Sequence, residues 1–447
     1  MMKQNFTSTH TLAERDKALI WHPFTQEKTA TARLAVARGS GAWLYDIDDK
    51  PYLDLISSWW VNLFGHGCKP IADSIAAQAA RLEHVLFAGC THEPAVELCE
   101  ALHAILPPAL GKFFFSDNGS TAVEVALKMA HQYWKNAFSQ DRRLFIGFDG
   151  GYHGDTVGAM SVGAHCGYHD TFRSFFFDTL VVPFAQTWLD DDDCEARERQ
   201  ALAALERTLS QHAGQVAAII VEPLVQGASG MRMCRPQFIA SVTAMAHQHD
   251  TLVIFDEVMT GFGRTGTRFA FEQTGVVPDF LCVSKGITGG FLPLALTITG
   301  DKVYDAFLSD QAERSFSHGH SYTANPIACA AAVASIKLLV GEETSEALQR
   351  LQECHQHGLR VLKQRIPTVE RVRLTGTIAA FDLPAGETRS GTELHQRFLD
   401  KGLLIRPIGR TIYLLPPFVV TDAQMMEAYE SISDVLRVKV GIGQAGI

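Results

Sequence analysis

Leu252-Val253-Ile254-Phe255-Asp256-Glu257 is apolar for the length of a short strand and then ends on two carboxylates. No polar residue alternates through the run, so both faces of such a strand would be buried, as in a sheet covered on each side by helices. Runs at 112–116, 144–148, 216–221, 280–284 and 294–298 read the same way. Around them the apolar spacing turns helical, at 71–82, 96–106 and 121–138. Strands alternating with helices predict an α/β domain built on a mostly parallel sheet, here over residues 71–329. Residues 1–70 carry a short strand-like run, Ala42-Trp43-Leu44-Tyr45, and the turn Asp46-Ile47-Asp48-Asp49. Residues 330–447 follow a helix at 328–339 and hold strands near 371–382 and 411–415. The two ends together predict a smaller α+β domain.

Bulk properties narrow the class. With 447 residues, 47% of them hydrophobic, the chain can bury a large core. Its 39 basic and 49 acidic residues give a net charge of −10, which leaves no basic footprint for nucleic acid or an anionic membrane. The first residues lack the apolar stretch of a signal peptide, and no run approaches the roughly 18 apolar residues of a membrane span. Nine cysteines are scattered without a CxxC pair, which favours reduced thiols. The expectation is a soluble cytoplasmic protein acting on small molecules, with neither nucleic acid nor membrane as partner.

Ligands of such sheets bind beyond the carboxyl ends of the strands, so the residues after each apolar run are the place to look. After 112–115 comes Ser116-Asp117-Asn118-Gly119-Ser120-Thr121 and then a helix. A glycine at a helix start lets free N–H groups approach an anion, phosphate above all; the ordinary alternative is a helix cap. After 144–148 comes Asp149-Gly150-Gly151-Tyr152-His153-Gly154-Asp155, where Tyr152 can stack on a planar cofactor and Asp155 can orient a neighbour, or where a glycine turn simply reverses the chain. Glu222 and Asp256-Glu257 put carboxylates directly after buried strands, which is costly unless a cation or protonated heterocycle pairs with them. After 280–283 comes Ser284-Lys285-Gly286. A lysine there either snorkels to the surface or is desolvated into a nucleophilic amine. The pairs His165/His169 and His318/His320 have no carboxylate near them in sequence, so no metal site is expected. Asp190 to Asp193 reads as a solvated loop. A phosphate cradle, a stacking aromatic, a strand-end carboxylate and a strand-end lysine are together what pyridoxal 5'-phosphate requires.

Phe255-Asp256-Glu257-Val258-Met259-Thr260-Gly261-Phe262-Gly263-Arg264-Thr265-Gly266, followed by Lys285, resembles the signature of the class-III (subgroup II) aminotransferases. The resemblance covers nearly the whole chain. It implies the fold-type I architecture and a homodimer with active sites at the subunit interface. It also implies that Asp256 pairs with the pyridine nitrogen, Lys285 forms the imine, Tyr152 stacks on the ring, and Gly119 and Ser120 hold phosphate. In His318-Gly319-His320-Ser321-Tyr322, Ser321 corresponds to a phosphate-binding threonine given by the partner subunit.

Four further segments are similar to family members that aminate an amino-oxo fatty acid: Trp21-His22-Pro23-Phe24-Thr25-Gln26, Ser57-Ser58-Trp59-Trp60, Thr91-His92-Glu93-Pro94-Ala95-Val96-Glu97-Leu98, and Ile405-Arg406-Pro407-Ile408-Gly409-Arg410-Thr411-Ile412-Tyr413. They imply substrate contacts by Phe24, Trp59, Trp60, Gly319, Arg406 and Tyr413, with the Arg406 guanidinium binding a carboxylate bidentately. Core packing and a surface ion pair are the plainer readings of the tryptophans and of Arg406. The segment departs from its relatives at Phe24, where they carry tyrosine. The expected amino donor is S-adenosylmethionine, with lysine as the alternative. Another ω-amino acid or polyamine aminotransferase is a second reading, and the cofactor motifs alone leave racemisation, aminomutation or decarboxylation open. Arg264 is read either as a ligand of the donor carboxylate or as structural.

Overall fold

The computed structural model describes residues 11–31, 33–163 and 166–437. His165, one of the histidines weighed as a ligand, lies outside them. The runs of Sequence analysis become one seven-stranded sheet, numbered here in chain order: β1 Lys112–Ser116, β2 Leu144–Phe148, β3 Thr179–Val182, β4 Val216–Val221, β5 Leu252–Asp256, β6 Phe280–Val283 and β7 Ala295–Thr299. Their spatial order is β1-β7-β6-β5-β4-β2-β3. Only β7 runs antiparallel to its neighbours, pairing Leu296 with Phe115 on one side and with Val283 on the other. The all-apolar runs are explained by this position: every residue of β4, β5 and β6 is buried, as a sheet sandwiched between helices demands. β3 was not expected; Thr179-Leu180-Val181-Val182 is short and only Val182 is fully buried, as suits an edge strand.

The helix expected at 121–138 starts earlier, as Gly119–Phe138. Asn118 caps it by accepting the Thr121 N–H at 3.1 Å, while Thr121 Oγ1 accepts the Asn118 N–H, so a reciprocal cap fixes where the helix begins. The helices Lys69–Ala79, Glu93–His103 and Pro326–Leu339 pack together as a group. Each carries a proline in its first turn, where a missing N–H costs nothing.

Both chain ends meet in a second sheet. Val36–Ser40, Trp43–Asp46 and Pro51–Asp54 form an antiparallel meander, and Leu403–Leu404 joins its last strand in parallel. A third sheet, Glu370–Thr375, Ile378–Asp382 and Thr411–Leu414, lies against the helix Glu342–Arg365, on which Asp422–Arg437 packs. Among the described residues no helix is long and apolar enough to cross a membrane, and no three His, Cys, Asp or Glu side chains are grouped to hold a metal ion.

Candidate active site

The carboxyl ends of β1, β2, β4, β5 and β6 open on a cavity of about 710 Å³. Phe24, Trp59, Trp60, Gly119, Ser120, Tyr152, Asp256, Lys285, Arg406 and Tyr413 all reach its wall, although sequence separates the first from the last by most of the chain. Gly319 and Ser321 do not. Both are exposed on the segment leading into the helix Pro326–Leu339, away from this chain's own cavity.

Asp256 ends β5 and is 4% exposed. Its Oδ2 lies 2.7 Å from His153 Nδ1, and its Oδ1 accepts the Val258 N–H at 3.1 Å. His153 Nε2 is buried with no partner among the described residues. Glu222, after β4, accepts the Tyr152 N–H at 3.0 Å and the Gly227 N–H at 2.9 Å. Burial lifts its pKa to about 7, with His153 opposing the rise and Asp256 adding to it. Glu257 points away from the cavity. It accepts the Ala270 and Phe271 N–H groups at 2.7 and 2.8 Å, capping the short helix Phe271–Thr274. One of the two adjacent carboxylates therefore serves the site and the other the fold.

Lys285 follows β6 with φ of 46°, a left-handed backbone rare for a side-chain-bearing residue. Its Nζ sits 5.1 Å above the centroid of the Trp60 ring. Burial lowers its pKa, and the charges of Asp256 and Glu222 partly restore it. Gly290, just beyond, has φ of 91°, and a Cβ there would lie 2.9 Å from Asn62 Cα. Gly290 serves close packing against residues 61–62.

The tryptophans stand on an unusual turn. Ser57, Ser58, Trp59 and Trp60 all have positive φ, from 48° to 79°, although none is glycine. Left-handed turns cost roughly 1–2 kcal/mol for each such residue, so the surroundings must hold them. Ser57 Oγ donates to the Leu415 carbonyl at 2.7 Å, Ser58 Oγ donates to Asp54 Oδ2 at 2.9 Å, and Trp60 Nε1 donates to Tyr413 Oη at 3.1 Å. Arg264 donates to the carbonyls of Pro416 at 3.0 Å, Asn62 at 2.8 Å and Trp60 at 3.4 Å. At 1% exposure and outside the cavity wall, Arg264 is placed as a clamp on main-chain carbonyls.

Trp59 is 41% exposed. The Arg406 guanidinium lies 5.1 Å over its ring, and Phe24 meets both Trp59 and Tyr168 edge-on, at 5.7 and 6.1 Å. Tyr152 lies beside Tyr168 and His169, and His169 Nε2 is 3.1 Å from Asp155 Oδ1. Asp155 does therefore orient a neighbour, as its place in the loop suggested. Sequence reasoning passed over His153 and Tyr168. His153 has a signal in hindsight, as an imidazole beside a strand end whose carboxylate needs a partner; Tyr168 follows no periodic run and has none.

The residues fit pyridoxal phosphate on grounds internal to this structure. A Cβ on Gly119 would lie 2.7 Å from Val258 Cγ1, so only glycine lets the helix start approach β5's end. A Cβ on Gly154, φ 118°, would overlap Ser120 Oγ. That cradle of main-chain N–H groups, a buried carboxylate and a desolvated amine face one cavity. The family model for class-III aminotransferases matches residues 24–436. The chain is a class-III aminotransferase. Its cofactor is pyridoxal 5'-phosphate.

This aminotransferase is 50% identical to an adenosylmethionine-8-amino-7-oxononanoate aminotransferase of Synechococcus elongatus, across 93% of this chain and 98% of that one. A crystal structure of the protein of that name from Methanocaldococcus jannaschii superposes with a TM-score of 0.88 at 35% identity, covering 95% of this chain and 98% of that one. An amine transaminase from an uncultivated Pseudomonas species, solved with pyridoxal phosphate bound, superposes with a TM-score of 0.87 at 30% identity, covering 93% and 98%. The fold-type I architecture expected from the motifs is thus shared with solved transaminases.

Proposed function

We propose that this aminotransferase transfers an amino group to the ketone of 8-amino-7-oxononanoate, giving 7,8-diaminononanoate, a step of biotin biosynthesis, with S-adenosylmethionine as donor. One observation carries the reading. The adjacent rings of Trp60 and Trp59 each carry a cation, Lys285 on the first and Arg406 on the second. An apolar acid with a ketone at one end and a carboxylate at the other suits that spacing of amine, aromatic wall and guanidinium. The names of relatives such as the Synechococcus protein point the same way.

Bound cofactor supplies an aldehyde for amines and a ring that accepts the electrons of a substrate carbanion. In this reading Asp256, backed by His153, presents a buried negative charge to the pyridine nitrogen. Gly119 and Ser120 hold the phosphate with the N–H groups of the helix start, and Tyr152 covers the ring. Lys285 Nζ moves the proton at the amino-bearing carbon of the substrate, its depressed pKa keeping a share of the amine neutral and able to accept it. Arg406 binds the acid's carboxylate. Phe24, Trp59, Trp60 and Tyr413 line its chain, with Gly319 given by the partner. The exposure of Gly319 and Ser321 outside their own cavity supports a homodimer in which each chain completes its partner's site. The nine cysteines, all unpaired, support a cytoplasmic setting.

The test offers holoenzyme the acid with S-adenosylmethionine or with lysine, and detects the diamine by mass spectrometry. We expect diamine with S-adenosylmethionine, none from Lys285→Ala, and a KM for the acid raised about tenfold in Arg406→Leu, the loss expected of one hydrogen-bonded charge pair at an exposed guanidinium. Diamine from lysine alone would move the donor assignment, for which Phe24, a ring without hydroxyl, is the residue to exchange for tyrosine. No diamine with either donor sinks the reading.

A further inference from the structure

Asp54 lies at the end of the strand Pro51–Asp54 with no exposed surface, and no part of it reaches the cavity. Its carboxylate nevertheless gathers three donors. Oδ1 accepts the Ile56 N–H at 3.2 Å, and Oδ2 accepts Ser58 Oγ–H at 2.9 Å and His66 Nε2–H at 2.9 Å. His66 Nδ1 in turn accepts the Asn62 side-chain amide at 3.2 Å, which leaves its proton on Nε2, facing Asp54. Residues on both sides of the left-handed turn are therefore tied to one buried carboxyl group: Ile56 and Ser58 before the tryptophans, and after them His66, with Asn62 bound through it. Arg264, also fully buried, closes the same turn from its carbonyl side and feels the charge of Asp54.

The left-handed backbone has a geometric result. It turns two consecutive tryptophans to different partners, Trp60 to Lys285 and Tyr413, Trp59 to Arg406 and Phe24. The turn thereby fixes where the wall under the reacting amine ends and where the wall under the guanidinium begins. We infer that Asp54, acting through Ser58 and His66, is a positioning residue that sets the chain length of the acid this enzyme accepts. The inference rests on the proposed reading of Arg406 as the carboxylate ligand. The chemical class it specifies is an oxo acid whose ketone and carboxylate are held apart by a fixed number of methylenes.

The experiment compares kcat/KM for 8-amino-7-oxononanoate with that for its homologue two methylenes shorter, in wild type, Asp54→Asn, Ser58→Gly and Arg406→Leu holoenzymes. Ser58→Gly guards against a folding artefact, because glycine takes φ of 48° without strain and the variant loses the tether alone, with a melting curve to check that it remains folded. We expect the preference for the longer acid to collapse about tenfold in Asp54→Asn and Ser58→Gly, through a raised KM for the longer acid and with kcat within about threefold of wild type. Equal loss of kcat/KM for both acids, or a preference kept within twofold of wild type, overturns the inference. Arg406→Leu separates the two levels. If it abolishes the preference and the Asp54 and Ser58 variants do not, the positioning role is wrong and the reading stands. If Arg406→Leu leaves the preference intact, the reading of Arg406 is wrong, and the inference falls with it.

Discussion

At the scale of single residues, the site is a set of charges whose environments disagree with water. Lys285 has its proton loosened by burial, and Glu222 has its own held back until about pH 7. The unfolded glutamate ionises near 4.5, so between pH 4.5 and 7 the folded chain keeps a proton that the unfolded chain has lost. Stability from this group is therefore greatest below pH 4.5, falls as pH rises to 7, and is level above. The fall amounts to something on the order of 3 kcal/mol for a fully buried carboxyl. Glu222→Gln removes the ionisation and keeps the shape, with one of the two acceptor oxygens. Melting curves of both holoenzymes at pH 5 and pH 8 should show the wild type losing more stability toward pH 8 than the variant; parallel losses would contradict the buried, late-ionising carboxyl. Sequence singled out Lys285, Asp256 and Tyr152 because each lies at or within a few residues of the end of an apolar run, where ligands of such sheets bind. Only the family resemblance separated Asp256 from Glu257; the apolar run alone did not, since the choice between cavity and helix cap depends on which way successive side chains leave the strand.

At the scale of elements, the decisive contacts join the end of one to the start of another. The helix Gly119–Phe138 begins against Val258, two residues past β5, with no room for a methyl group between them. Gly119→Ala should push the helix start and its N–H groups off the phosphate, weakening cofactor affinity about tenfold in equilibrium titration of the apoenzyme. Adding Val258→Ala, which clears the space, should recover most of it. An unchanged affinity in Gly119→Ala would show that the cradle is looser than its glycine implies. This junction was readable as a glycine before a helix. The left-handed turn at 57–60 was not: Ser-Ser-Trp-Trp carries no glycine, asparagine or other sign of positive φ, and its shape is imposed by partners about 350 positions away, Leu415 and Tyr413.

At the scale of the whole molecule, the homodimer proposed above has each chain complete its partner's site. Ser321 is exposed and turned from its own cavity, a waste of a hydroxyl unless a second copy receives it. In that homodimer Ser321→Ala should weaken cofactor binding, and a hybrid of a Ser321→Ala protomer with a Lys285→Ala protomer should regain one sound site, because the proposed arrangement sets the lysine of one against the serine of the other. Turnover measured at limiting cofactor would then exceed that of either parent, and a hybrid no better than its parents would refute the shared site. Motifs conveyed the large sheet because its strands are buried on both faces. The edge strand β3 escaped because edge strands are half-exposed; the two end segments were expected to share a domain, but their union in one sheet was not, since distant pairings leave no local trace in composition.

That union has a consequence for how the protein is made. Every strand of the cofactor-binding sheet lies between Lys112 and Thr299, while Trp60 waits for Tyr413, 353 positions downstream. At a synthesis rate of about 5–20 residues per second, the ribosome finishes the sheet several seconds before it delivers the wall's last supports. A nascent chain therefore completes its own cofactor-binding sheet before it acquires the means to choose a substrate.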